Sequence, residues 1–154
     1  RILFEYFNSN SNNQEFLSQT LIFPKEISLN NNDIQILQEI SSDIRKIGFE
    51  YILDNRNIII KAIPAEASAE NVTHLLESII EQYKTEDEVN LDNRNKIARG
   101  LAISMSISNN QKLSEDEMVK INAELNNCSS PNRSISGKPI IIDLNLVELE
   151  KIIK

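Results

Sequence analysis

The stretch IQILQEISSDIRKIGFEYILDNRNIIIKAIP, residues 34–64, decides the fold. Its first half places apolar residues at spacings of three and four, which predicts one amphipathic helix. That apolar stripe consists of Ile34, Leu37, Ile40, Ile44 and Ile47. Asn32 or Asp33 is the expected entry cap, and Gly48 stands where a left-handed residue ends a helix.

The second half of this stretch predicts a β-hairpin. Two runs rich in β-branched and aromatic residues, 49–53 and 57–63, flank the polar turn at residues 54–57. Pro64 is expected to end the second strand because proline cannot donate a ladder hydrogen bond. A helix followed directly by a hairpin indicates a mixed α+β fold.

Outward from this stretch, helices and short strands continue in both directions. On the N-terminal side we expect a helix end at residues 1–7, a loop at 8–13, and an edge strand interrupted by Pro24. On the C-terminal side Gly100 is expected to interrupt a long helical segment, and Ser114 with Glu117 forms a capping box. The remaining predictions are helices at 72–83, 89–107 and from Ser114 to Leu125, a loop at 126–138, a buried strand at 140–142 and a helix at 145–154.

The scarce residues exclude several classes of site. The closest pair among the three glycines, Gly100 and Gly137, is 37 residues apart (137 − 100), so neither a dinucleotide-binding fingerprint nor a Walker loop can form. His74 and Cys128 are the only His and Cys, which excludes zinc sites built from several such ligands. Mg²⁺ or Mn²⁺ held by carboxylates stays open because the chain has 23 Asp and Glu.

The net charge, the single cysteine and the first residue indicate the cellular compartment and the kind of protein to which the chain belongs. A net charge of −7 argues against broad nonspecific binding to DNA phosphates by this piece alone. One cysteine fits a reducing compartment, and no apolar run is long enough to span a membrane, so we expect a cytoplasmic protein. Because the first residue is Arg1, the chain is expected to be part of a longer protein.

Isolated polar residues offer little chemistry. His74 is expected to be an ordinary surface or boundary residue, and Cys128, in a loop of Ser and Asn, is expected to be inert. The acidic clusters at residues 86–88 and 115–117 are better explained as solvated faces and helix starts than as cation sites, because carboxylates favour the first turn of a helix.

One short segment, Gln19-Thr20-Leu21-Ile22-Phe23-Pro24, has a binding mechanism. An extended peptide of this type can place an amide and apolar side chains in a partner's groove, with alternate side chains giving specificity. The residues alone also describe an edge strand whose Leu21 and Phe23 pack inward, and without further context we favour that interpretation.

Five local motifs in order resemble the C-terminal domain of the MutL family of dimeric mismatch-repair proteins. Residues 1–5 resemble the end of D-Q-H-A-x-x-E-R-I-L-x-E, and residues 19–24 fall where the family carries its sliding-clamp motif, Q-x-L-x-x-P. Residues 61–65 resemble R-A-V-P-A, residues 113–118 resemble L-S-x-E-E-M, and residues 137–144 resemble G-R-P-T-I-I-E-L. The resemblance covers essentially the whole chain and implies clamp contacts by Gln19, Leu21, Ile22 and Pro24.

The chain departs from the family where many members carry a metal-dependent endonuclease. The family's A-C-R motif corresponds to Ala102-Ile103-Ser104, and C-P-H-x-R-P corresponds to residues 134–139, SISGKP. The family's D-Q-H-A-x-x-E segment would fall before Arg1, which leaves only Glu5, at the position of the second glutamate. Isoleucine cannot replace a thiolate and serine is a poor metal ligand, so we expect no catalytic or metal site and no nuclease in the intact protein.

The resemblance also implies an organisation and partners. Residues 1–6 and 99–154 would form a dimerisation subdomain, with Leu101, Ile103, Met105 and Ile107 in its core or interface, and residues 7–98 an inserted regulatory subdomain. This domain would need no cofactor, while ATP and Mg²⁺ would bind an upstream ATPase domain. Expected partners are a second copy, the sliding clamp, and a MutS-type protein and DNA through the full-length protein. The alternatives are a Mn²⁺-dependent nicking endonuclease with an atypical carboxylate site and an unrelated α+β interaction domain.

Overall fold

A computed structural model describes residues 1–10, 16–85, 92–108, 110–142 and 145. Its elements are α1 Ile2–Asn10, β1 Ser18–Ser28, α2 Asn31–Glu39, α3 Ser41–Lys46, β2 Glu50–Asp54, β3 Asn57–Pro64, α4 Val72–Lys84, α5 Asn93–Ser104 and α6 Glu115–Asn126. A single 3₁₀ turn, Ala69–Asn71, precedes α4. The predicted α+β class is therefore confirmed.

Two compact units divide the chain. One unit is Leu3–Gln111, and the other combines Arg1–Ile2 with Lys112–Lys154. In the first unit α5 packs closely on α4, so this helix does not separate from the sheet and the helices before it. The unit boundary therefore follows α5, whereas the predicted subdomain boundary, between residues 98 and 99, falls inside this helix. The dimerisation and regulatory roles assigned to residues 1–6, 99–154 and 7–98 stay predictions.

An antiparallel sheet with strand order β1-β3-β2 forms the centre of the first unit. The predicted hairpin is confirmed, with Asp54 paired to Asn57 across a tight turn. Asn55 in this turn has φ 51°, a left-handed conformation that asparagine tolerates better than most residues. Strand β1 pairs only with β3 in the described sheet and is its edge, as the sequence predicted.

The helix predicted before the hairpin is two short helices. The break falls at Ile40, which ends α2 and precedes α3, and Asn30 replaces the predicted caps by accepting a hydrogen bond from the Asp33 amide at 2.9 Å. The apolar stripe is still inward, because every member except the half-buried Ile34 is buried. The stripe thus predicted burial correctly but could not locate the break.

Gly48 ends α3 in the predicted left-handed conformation, with φ 101°. The Phe49 amide donates to the Ile44 carbonyl at 3.3 Å, and the Gly48 amide donates to the Arg45 carbonyl at 3.0 Å. These two bonds form a Schellman motif, which satisfies carbonyls that the helix end leaves open. The motif turns the chain directly into β2.

Two predictions at the N-terminal and central helices need correction. Helix α1 continues to Asn10, so residues 8–10 are helical and not part of a loop, and residues 11–15 lie outside the described part. Gly100 does not interrupt α5, which is continuous through it. The physical reason is tight helix packing: a Cβ at Gly100 would lie 2.6 Å from the Cα of Ile79.

The buried strand predicted at residues 140–142 is also wrong. Among the described residues this segment pairs with no strand, and the nearby ladder is a single bridge between Arg133 and Pro139. Ile140, Ile141 and Ile142 are 41%, 39% and 67% exposed. A short run of apolar residues is typical of a buried strand, but the run itself does not show that a neighbouring strand is present to pair with it. Residues 86–91 and 146–154, on which other predictions fell, lie outside the described residues.

Candidate protein-binding site on strand β1

Strand β1 carries a long bulge within the segment from Gln19 to Pro24, for which the sequence predicted a binding mechanism. Thr20 pairs with Ala62 and Lys25 with Ile60, so residues 21–24 stand opposite Lys61 alone. Pro24 lies within this bulge, where its missing amide proton disrupts no ladder hydrogen bond. Bulges of this kind are typical of sheet edges and project part of the strand away from the sheet.

The bulge turns two large apolar side chains into solvent. Ile22 is 89% exposed and Phe23 is 85% exposed, whereas Leu21 is only 9% exposed and belongs to the core. The expectation that Phe23 packs inward together with Leu21 is therefore wrong, because the bulge breaks the alternation of a regular strand. Exposed side chains of this size on a sheet edge form a surface suited to a protein partner.

Gln19 faces the domain itself. Its side-chain amide donates to the carbonyls of Pro64 and Ala65, each at 3.3 Å, and to that of Ala67. Of the predicted clamp contacts, Ile22 and Pro24 are exposed, while Gln19 is half-buried and Leu21 is buried. Phe23 was not among the predicted contacts, yet it is nearly as exposed as Ile22, and its place between Ile22 and Pro24 was the available signal.

A second set of exposed apolar side chains lies in the unit that contains α6. Met118 and Val119 of α6 are 50% and 69% exposed, and Ile140, Ile141 and Ile142 add to this set.

The structure also divides the four apolar residues that the sequence placed in either the core or the dimer interface. Leu101 is buried and Met105 packs against the core, whereas Ile103 and Ile107 are 45% and 46% exposed.

The structure gives the positions of the isolated polar residues. His74 is exposed on α4 and lines an open cavity of about 690 Å³ with Ser104 and other residues of the first unit. Cys128 lies half-buried just after α6, where its Sγ donates to the Glu124 carbonyl at 3.5 Å. Glu117 is part of the confirmed capping box. In the described part of the chain no cluster of three His, Cys, Asp or Glu could hold a metal ion.

The positions of the family's ligand motifs hold weak metal donors. Ala102 is buried in α5, Ile103 has no donor atom, and the Ser104 hydroxyl is buried without a hydrogen-bond partner among described residues. In the other unit the hydroxyls of Ser134 and Ser136 lie 3.1 Å apart and bond to each other. Ser134 Oγ also accepts from the Lys138 amide at 3.0 Å. These neutral groups do not fit a thiolate- and imidazole-based metal site.

The fold and these surfaces define a small domain with exposed apolar side chains, as protein-interaction domains have. None of the described helices has the length and apolar character to span a membrane. Residues 1–113 match the family described as the MutL C terminal dimerisation domain. The chain belongs to this family, the C-terminal dimerisation domains of the DNA mismatch repair protein MutL.

Similar proteins agree with this assignment. The DNA mismatch repair protein MutL of Chloroherpeton thalassium is 34% identical over 136 residues, covering 87% of this chain and 21% of that protein. MutL of Pelodictyon phaeoclathratiforme is 28% identical over 153 residues, covering 98% of the chain and 24% of that protein. MutL of Flavobacterium psychrophilum is 26% identical, with 98% and 25% covered. The chain therefore spans about a fifth to a quarter of the relatives it matches.

Proposed function

We propose that this chain is the homodimerisation and partner-recruitment domain of a MutL-like mismatch-repair protein, that it contacts the replication sliding clamp through β1, and that it lacks the endonuclease metal site. The observation that carries the recruitment proposal is the bulge that exposes Ile22 and Phe23 within the Q-x-L-x-x-P segment. The match to the dimerisation family carries the proposal of a homodimer.

Exposed apolar residues support homodimerisation. Met118, Val119 and Ile142 are each at least half exposed, and apolar side chains of this kind are enriched in interfaces between identical subunits. Light scattering coupled to size exclusion should report about twice the chain mass of 17.6 kDa. A monomer at micromolar concentration would contradict the proposal, whereas a dimer lost in a Val119→Asp variant would locate part of the interface.

The clamp contact can be tested on the two edges of one sheet. Ile22→Ser and Phe23→Ser should each weaken binding to the sliding clamp at least about tenfold, because each removes an exposed apolar anchor. Ile52→Ser is the matched control, since Ile52 is 46% exposed on β2 at the opposite edge. Unchanged clamp binding in both β1 variants would leave β1 as an ordinary edge strand.

The absence of nuclease activity is proposed from donor chemistry. The A-C-R position carries Ile103, and the C-P-H positions carry Ser134 and Ser136, whose hydroxyls bond each other. The full-length protein, incubated with supercoiled plasmid and Mn²⁺, should not nick it. Reproducible nicking that Glu5→Ala abolishes would instead establish the alternative, a Mn²⁺-dependent endonuclease with an atypical carboxylate site.

The rest of the proposal concerns the longer protein that such a domain serves. In it, dimerisation would join two N-terminal ATPase domains that bind ATP and Mg²⁺, and the protein would act with a MutS-type protein on DNA in the cytoplasm. This domain would itself need no cofactor. Deletion of residues 1–154 from the full-length protein should therefore abolish its dimerisation while leaving ATP binding measurable.

A further inference from the structure

The clamp motif is partly turned inward by its own domain. Two of its side chains make contacts within the domain. The Gln19 side-chain amide donates hydrogen bonds to carbonyls of the turn at residues 64–67, and Leu21 lies in the core. A partner that recognises an extended peptide needs side chains that it can enclose in its own pockets. In the observed conformation such a partner reaches Ile22 and Phe23 but not Gln19 or Leu21.

The bonds of Gln19 form part of a closed ring of contacts. Next to Gln19, the Ala65 amide donates to the Leu17 carbonyl at 2.9 Å, which joins the same turn to the chain just before β1. From that turn, the Glu66 carboxylate accepts a hydrogen bond from the Tyr6 hydroxyl at 2.5 Å. Helix α1 is thereby connected to the turn that holds Gln19.

Tyr6 completes the ring of contacts. Its aromatic ring packs edge-on against Phe16, with centroids 5.8 Å apart, and Phe16 lies two residues before β1 begins. Tyr6 therefore holds both the turn, through Glu66, and the start of the clamp strand, through Phe16. The residues that hold Gln19 inward are thus outside the motif, which allows them to be changed without altering the residues that a clamp would contact.

We infer that the Gln19 contact is an autoinhibitory latch: full engagement of residues 19–24 by the sliding clamp requires Gln19 to leave the 64–67 turn and Leu21 to leave the core. This inference rests on the proposed clamp contact. The affinity that is measured equals the affinity of the released strand reduced by the fraction of molecules in which it is released. Each net hydrogen bond that favours the closed state is worth a factor of about two to ten in that fraction.

A comparison with a free peptide tests the latch directly. A synthetic peptide with the sequence of residues 18–25 has no turn to bind, so it should bind the purified sliding clamp more tightly than the full-length protein does at a single site, by about tenfold or more. A competition assay with labelled peptide measures both on the same clamp. Protein that binds as tightly as the peptide, or more tightly, overturns the latch while the proposed clamp contact stands. Failure of both to bind overturns the proposed clamp contact itself.

A pair of tyrosine variants tests the same inference within the folded protein. Tyr6→Phe keeps the ring but removes the bond to Glu66, and should strengthen clamp binding about two- to fivefold. Tyr83→Phe is the matched control, because the Tyr83 hydroxyl also bonds a carboxylate at 2.5 Å, but that of Glu39 on α2 rather than one on the 64–67 turn. Equal clamp affinity of Tyr6→Phe and the unchanged protein, with both folded by circular dichroism, would overturn the latch.

Discussion

Gly100 in α5 packs directly on the backbone of Ile79 in α4. A Cβ at Gly100 would lie 2.6 Å from the Ile79 Cα and 2.9 Å from the Ile79 nitrogen. Both atoms are backbone, so no side-chain rotation can relieve the contact. This close approach holds α5 against the helix before it and explains why a residue with poor helix propensity occupies the middle of a helix.

The first prediction is that Gly100→Ala destabilises the domain. Alanine gains about 1 kcal/mol of helix propensity over glycine, but forcing apart two packed backbones costs more than a usual overpacking of about 1–3 kcal/mol. We expect a net loss of at least about 1 kcal/mol in the free energy of unfolding, measured by urea denaturation. Glu77→Ala, at an exposed site on α4, is the control and should change stability by less than about 0.5 kcal/mol. A more stable Gly100→Ala protein would contradict the packing argument.

The helices show what the sequence could and could not predict. Periodicity identified the buried face of α2 and α3 correctly because burial repeats with the helical turn. It could not show that α2 and α3 are separate or that α5 runs through Gly100. The glycine inside α5 is explained by its contact with Ile79, a residue distant in sequence, and a single helix pattern carries no information about such contacts.

A second prediction concerns the three tyrosines, all of which should titrate above their ordinary pKa of 10.0. The bond to Glu66 raises the pKa of Tyr6 to about 12, and burial with the bond to Glu39 raises the pKa of Tyr83 to about 12. Burial also raises the pKa of Tyr51, against the opposing charge of Arg45. Titration of the tyrosinate absorbance should therefore show Tyr6 and Tyr83 ionising near pH 12.

The same shifts predict a loss of stability at high pH. Because folding raises the pKa of Tyr6 and Tyr83, their contribution is complete below pH 10.0 and is lost as pH rises through about 12. Tyr6→Phe and Tyr83→Phe should each flatten the decline of the unfolding free energy across this interval. A decline as steep in both variants as in the unchanged protein would contradict the assignment.

The candidate site was only partly predictable from the sequence. The segment at residues 19–24 was located by its residue types, and its position on an edge strand followed from Pro24. The directions of its side chains were not predictable, because a bulge of four residues opposite Lys61 changes the alternation that a regular strand would have. Phe23 therefore points outward, and Gln19 is committed to a turn more than forty residues away in sequence.

A third prediction separates the two neighbours at the bulge. Leu21→Ala should lower the free energy of unfolding by about 2–3 kcal/mol, because it removes apolar atoms from a filled core. Ile22→Ala should change it by less than about 0.5 kcal/mol, because that side chain is 89% exposed. Urea denaturation of both variants measures the difference. Equal losses of unfolding free energy in the two variants would contradict the description of Leu21 as buried and Ile22 as exposed.

The last prediction concerns the start of α6. Ser114 Oγ accepts from the Glu117 amide at 3.3 Å, and the Glu117 carboxylate accepts from the Ser114 amide at 2.8 Å. Ser114→Ala should weaken the helix by about 1 kcal/mol, seen as faster amide hydrogen exchange in its first turn. Ser114→Asn should restore protection, because asparagine is an equally good N-cap and places no second charge beside the Glu117 carboxylate.

The carboxylate of the same capping box gives an independent readout. The bonds from the Ser114 amide and hydroxyl lower the pKa of Glu117 from its ordinary 4.5. Its stabilising effect is therefore present above pH 4.5 and is lost as pH falls through the lowered value. Ser114→Ala removes the hydroxyl but keeps the amide, so the Glu117 pKa, followed by NMR titration, should rise only part of the way. A Glu117 pKa that does not move in this variant would contradict the role of the hydroxyl in the box.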